Sequence, residues 1–69
     1  MKENTKKIIM EILENELHAV EKSLDFANAA IKTAEVEKNA SVIKTQNRLK
    51  KHALQRIEAL QNAIKDLNG

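Results

Sequence analysis

His18 follows Glu14 by four residues and precedes Glu21 by three. On a helix those spacings put an imidazole and two carboxylates on neighbouring turns of one face. The trio could form a weak metal site. Di-metal carboxylate bundles, however, use Glu-x-x-His pairs on facing helices. Here the spacing is Glu-x-x-x-His and it occurs once, and His52 lies level with residue 26 rather than with His18. The expectation is a surface histidine in helix ion pairs, with no metal and no other cofactor.

Nucleophiles are no better served. The hydroxyls are Thr5, Ser23, Thr33, Ser41 and Thr45, and none stands in a suggestive arrangement with a histidine and an acid. The chain has no Cys, so it has no thiolate nucleophile, thiolate metal site or disulfide. One Gly, no Pro and a single aromatic residue, Phe26, exclude Gly-rich phosphate loops and argue against β-hairpins. A chain of 69 residues with 42% apolar and 32% charged residues is one small domain at most. It offers little concave surface for a substrate. Neither an enzyme nor a small-molecule site is expected.

The cations are the next candidates. Net charge is +2, but residues 1–37 carry five Lys against eight acids, and residues 38–69 carry seven Lys or Arg against two. From Lys44 to Arg56 there are five basic residues, one His and no acid. Lys44, Arg48 and Lys51 step by four and three and so share an exposed helix face, with Lys50 and Arg56 beside it. The block could contact phosphates of nucleic acid or another polyanion. The competing reading is a solvated face, or one paired with acids. Nothing supports base reading: there is no helix-turn-helix pattern and no set of aromatics to stack on bases. Nucleic acid is therefore a possible partner but not the favoured one.

These residues need elements to hold them. Met10, Leu13, Leu17, Val20, Leu24, Ala27, Ile31 and Ala34 follow at spacings 3, 4, 3, 4, 3, 4, 3, the seam of a helix lying along another helix. Asn4 or Thr5 is the expected N-cap. The pattern fails at Lys38 and Ser41, so residues 38–41 are read as a turn. Asn39 would take the left-handed conformation and Ser41 would cap the next helix. The second row is Val42, Gln46, Leu49, Ala53, Ile57, Leu60, Ile64 and Leu67, with Ile43 and Leu54 beside it. The prediction is a helix over 5–37 and another over 41–67, folded into an antiparallel hairpin. One continuous helix in a parallel coiled coil is the alternative. With the turn centred near residue 39, residues 44–56 face 22–34, which hold only Asp25 as an acid. Within one hairpin the basic block is expected to stay largely unneutralised.

A second apolar row, Ile9, Ile12, Ala19, Phe26 and Ala30, widens the stripe on the first helix beyond one seam. A lone hairpin at this length supplies at most about 3–5 kcal/mol from one core. A pair of hairpins in a four-helix bundle would cover the row, and twofold dimers are the commonest closed assemblies. A protein interface is expected at Ile9, Ile12, Phe26 and Ala30, with Phe26 as its anchor. The row could instead dock an unidentified protein partner, or the bundle could be purely architectural.

Lys2, Lys6 and Lys7 followed by Ile8, Ile9, Ile12 and Leu13 look like the start of a basic amphipathic helix, but Glu11, Glu14 and Glu16 would be repelled by anionic lipid. No run approaches the roughly 20 apolar residues of a membrane span, and the first residues lack a signal-peptide core. No membrane partner is expected, and a cytoplasmic location is. Ten Lys to two Arg, with abundant Asn and Ile, suggests an AT-rich bacterial or phage genome. The expected function is that of a small interaction module, an adaptor, inhibitor or regulator, working as a homo-oligomeric bundle.

Overall fold

The computed structural model describes residues 2–69. Two helices, α1 (Glu3–Glu37) and α2 (Ala40–Asn68), pack against each other, and no strand occurs among the described residues. At 1.5 Å per residue α1 alone is about 52 Å long. The long dimension of the molecule is 53 Å. So α2 folds back beside α1, and the continuous helix is ruled out.

The reversal takes two residues, and the roles within it differ from those expected. Lys38, not Asn39, is left-handed, with φ 57° and ψ 37°. The Asn39 N–H donates to the Ala34 carbonyl at 2.9 Å and the Lys38 N–H to the Glu35 carbonyl at 3.2 Å. That is the Schellman arrangement, which satisfies two of the carbonyls a helix end leaves open. Holding a β-carbon there costs Lys38 roughly 1 kcal/mol. Asn39 is thereby free to cap α2, its Oδ1 accepting the Val42 N–H at 3.2 Å. Ser41 is displaced from the predicted cap into the first turn of α2, where its carbonyl accepts the Thr45 hydroxyl at 3.1 Å. At the other end α1 starts two residues earlier than expected. Lys2 is its N-cap without a side-chain hydrogen bond, and Asn4 and Thr5 lie inside the first turn. Glu3 there has the charge that suits a helix N-terminus.

The seam of α1 is the one read from the sequence. Every residue from Met10 to Ala34 in that row is buried or half-buried, with Val20, Ala27 and Ala34 the most enclosed. The seam of α2 differs. Ile43, Gln46, Lys50, Ala53, Ile57, Leu60, Ile64 and Leu67 are buried or half-buried, whereas Val42 and Leu49 are exposed. The predicted row contained two consecutive steps of four. The observed row keeps the 3, 4 alternation throughout, as it must to stay against a partner with that same repeat. The consequence is that Lys50 joins the expected Gln46 in facing the seam near the turn. Lys50 can lay its methylene stem on apolar surface and send its ammonium outward.

The core is thin. Val20, Ala27, Ala34 and Leu60 are the buried apolar residues, and no large side chain among the described residues is fully enclosed. The hairpin exposes 5568 Å². A compact monomer of this mass would expose roughly 4,400 Å².

Candidate protein-interaction face

The heptad of α1 assigns each residue a side relative to α2. Thr5, Ile12, Ala19, Phe26 and Thr33 are spaced by seven and form one line. Beside it, toward α2, runs Lys2, Ile9, Glu16, Ser23, Ala30 and Glu37, also spaced by seven. One line further out, away from α2, run Ile8, Asn15, Lys22, Ala29 and Val36, also spaced by seven. On α2 the matching flank is Val42, Leu49, Arg56 and Ala63. Two contacts place this flank on the same side as the rows of α1. Val42 lines one shallow groove with Phe26, Ala29, Ala30 and Thr33. Arg56 reaches Glu16, with Nε and one terminal guanidinium nitrogen 3.0 and 2.9 Å from the same carboxylate oxygen.

One broad face results. It carries Ile12, Phe26, Val42 and Leu49, with Ile8 at its outer edge, five of the seven large apolar side chains that stand exposed among the described residues. Phe26 is 74% exposed and Ile12 61%. Between Lys2 and Glu37 the two rows of α1 hold one charge, Glu16, and Arg56 neutralises it. At the turn end the face sinks into the groove of about 400 Å³, floored by Ala29, Ala30 and Ala34 and walled by Phe26, Thr33, Glu37 and Val42.

The interface residues named from the sequence fall here unevenly. Ile12 and Phe26 point outward, while Ile9 and Ala30 are half-buried at the edge of the seam. Ile8, Val42 and Leu49 belong to the face but were missed. Val42 and Leu49 were assigned to the seam by an apolar row that ignored the strict repeat.

The basic block is divided. Lys44, Arg48 and Lys51 are exposed together on the back of α2. Among the described residues none of their nitrogens lies within 4 Å of a carboxylate. Lys50 is half-buried on the seam side. Arg56 is neutralised within the hairpin, the one exception in a block that otherwise stays unneutralised, as expected. Its partner Glu16 lies six residues closer to the open end than a level-for-level register would place it. Two long side chains on the flank of a seam span that distance, which a register of backbones leaves out.

His18 Nδ1 sits 3.9 Å from Glu21 Oε1, both exposed, and no cluster of His, Asp and Glu able to hold a metal occurs among the described residues. Among the described residues no helix is long and apolar enough to cross a membrane. Comparison with protein-family models, with curated proteins and with solved structures gives no match for this chain.

Proposed function

We propose that this protein is a small protein–protein interaction module that works as a homo-oligomer, two hairpins joining into a four-helix bundle. The observation that carries the reading is the exposed pair Ile12 and Phe26 with Val42 and Leu49 beside them, in rows of α1 whose one internal charge, Glu16, is paired. Large apolar side chains grouped on one exposed face mark an interaction surface more often than a solvated one. The surface excess points the same way. The hairpin exposes about 1,200 Å² more than a compact monomer of its mass. A stable pairwise interface removes about 800 Å² from each partner. The action is binding rather than catalysis: an adaptor, inhibitor or regulator that bridges or occludes other proteins through the charged surface left outside the bundle.

Light scattering after size exclusion, over a range of concentrations and salt, tests this. The expected result is a mass near twice 7.8 kDa that persists at high salt, because apolar burial is not screened. A helical monomer at all concentrations overturns the self-assembling reading.

A second reading rests on Lys44, Arg48 and Lys51, which share an exposed face with no carboxylate beside them. It is a polyanion-binding role, nucleic acid included. With Arg56 engaged by Glu16 and Lys50 turned to the seam, the patch has three cations. Duplex binding that falls steeply with salt and is lost on changing the three to Glu would favour this reading.

A further inference from the structure

The two rows of α1 on the open face are self-complementary in one direction only. At their ends stand opposite charges, Lys2 and Glu37. Between them the large side chains are not evenly spread. Ile8, Ile9 and Ile12 crowd the open end, and Phe26 stands beside the groove at the turn end. Ala19 and Ser23 leave the middle low. The midpoint of α1 is residue 20, beside Ala19.

We propose that the face is covered by a second copy whose α1 lies antiparallel across this one, about a twofold axis that passes by Ala19. The proposal rests on the homo-oligomeric reading above and specifies its geometry. With the axis there, Ile12 meets the partner's Phe26, and Ile9 meets the partner's Ala30. The isoleucines of one open end enter the groove at the turn end of the other copy, and Lys2 comes level with the partner's Glu37. Each contact occurs twice, as an isologous interface requires. The reverse arrangement, with the two α1 helices parallel, stacks Phe26 on Phe26. It also sets Lys2 against Lys2 and Glu37 against Glu37, and it leaves two grooves facing each other unfilled.

A third arrangement lays α1 across the partner's α2. It is the poorer fit. The α2 flank is narrower and has Arg56 at its middle, with His52 and Asp66 at its outer edge. The long uncharged stretch of α1 would then meet charged groups over much of its length.

The chain lacks cysteine, so single introduced thiols report the geometry cleanly. The variants are Ile12→Cys, Phe26→Cys, Ala19→Cys and Leu49→Cys, all at exposed positions where folding survives and is checked by circular dichroism. A short bis-maleimide is the probe. Residues 12 and 26 are fourteen apart, about 21 Å along a helix, beyond the reach of such a reagent within one chain. The antiparallel pairing predicts efficient crosslinking in an equimolar mixture of I12C and F26C. It predicts self-crosslinking of A19C, and little or none of F26C with itself. Self-crosslinking of F26C would mean parallel α1 helices, and crosslinking of F26C to L49C would mean α1 across α2. Either result overturns the proposed geometry while leaving the homodimer standing. A chain that sediments as a monomer and yields none of these crosslinks overturns both, and the face then belongs to a different protein or to lipid. In a confirmed dimer Glu37→Lys should raise the dissociation constant a few-fold, and Lys2→Glu added to it should restore the original value.

Discussion

The hairpin has two sides that differ in kind although one seam generates both. On one flank of the seam lie Ile9, Glu16, Ser23 and Ala30 with Val42, Leu49 and Arg56, and beyond them Ile8, Ile12, Ala19 and Phe26. On the other flank lie Glu14, Glu21, Asn28 and Glu35 with Asn47, Leu54 and Gln61. On the first flank Ile9, Glu16 and Ala30 are half-buried, and on the second only Asn28 is. Only the second is built for water. A chain whose stability depends on one thin seam has no folding reason to concentrate isoleucine and phenylalanine on an outer flank. The difference therefore points to association rather than to folding as the cause of the apolar side. It also separates two kinds of exposed apolar residue. Leu54 and Val36 stand singly among polar groups and need no explanation. Phe26 and Ile12 stand in line.

The sharpest way to break this contrast is to put one carboxylate on each side. Phe26→Asp would place two charges in a covered dimer interface, one from each copy, without partners. The dimer should weaken by 100-fold or more, since a truncated aromatic anchor alone costs upwards of 2 kcal/mol and a buried unpaired charge adds to that. Leu54→Asp on the opposite flank should leave the dissociation constant within about threefold, the scale of surface substitutions away from special features. Sedimentation equilibrium measures both. Equal effects from the two variants would mean that the sides do not differ in function.

A smaller effect tests the single charge pair on the apolar side. In the free hairpin Glu16 and Arg56 are an exposed pair, 42% and 61% accessible. Solvent screening limits such a pair to well under about 1 kcal/mol. If a second copy covers the flank, water leaves and the balance changes. Glu16→Gln should then lower hairpin stability marginally but weaken the assembly about tenfold, because it strands the Arg56 charge in a drier place. Adding Arg56→Gln removes the stranded charge and should recover most of the loss. A urea titration of a dilute, monomeric sample separates the first effect from the second. If assembly is indifferent to Glu16→Gln, the pair stays wet, and the second copy sits further toward the outer edge of α1.

What could be read from residues alone follows from what they repeat. The eight-residue seam of α1 repeats without a fault, and it appears in the structure residue for residue. The helices, their antiparallel packing and the place of the turn followed from that row and from its failure at Lys38. The exchange of roles among Lys38, Asn39 and Ser41 was not legible. Two polar residues in a row compete for one left-handed position, and propensity favours Asn, yet the cap of α2 gains more from the Asn39 carboxamide than the turn would. Of the candidate interface, Ile12 and Phe26 were legible as residues left over after the seam was assigned. Val42 and Leu49 were not, because they extend an apolar row at the point where the strict repeat places the polar Lys50. The division of the basic block was hidden by the same seam position of Lys50 and by the reach of Arg56.

Lys50 gives the smallest of these effects and a check on the seam itself. It occupies a position near the turn that the repeat reserves for an apolar residue. A polar residue at one such position fixes register at a cost in stability. Lys50→Leu should therefore stabilise the hairpin by about 1 kcal/mol, on the scale of burying part of a leucine side chain. It should leave the dimer constant unchanged, because its side of the seam is the charged one. Lys51→Leu, one residue on and facing water, should stabilise nothing. If the two variants were interchangeable, Lys50 would not face the seam, the repeat of α2 would slip back toward Leu49, and Leu49 would leave the apolar face. The number of residues available to a second copy would then shrink with it, so a denaturation curve on one lysine variant also measures how wide the interaction face is.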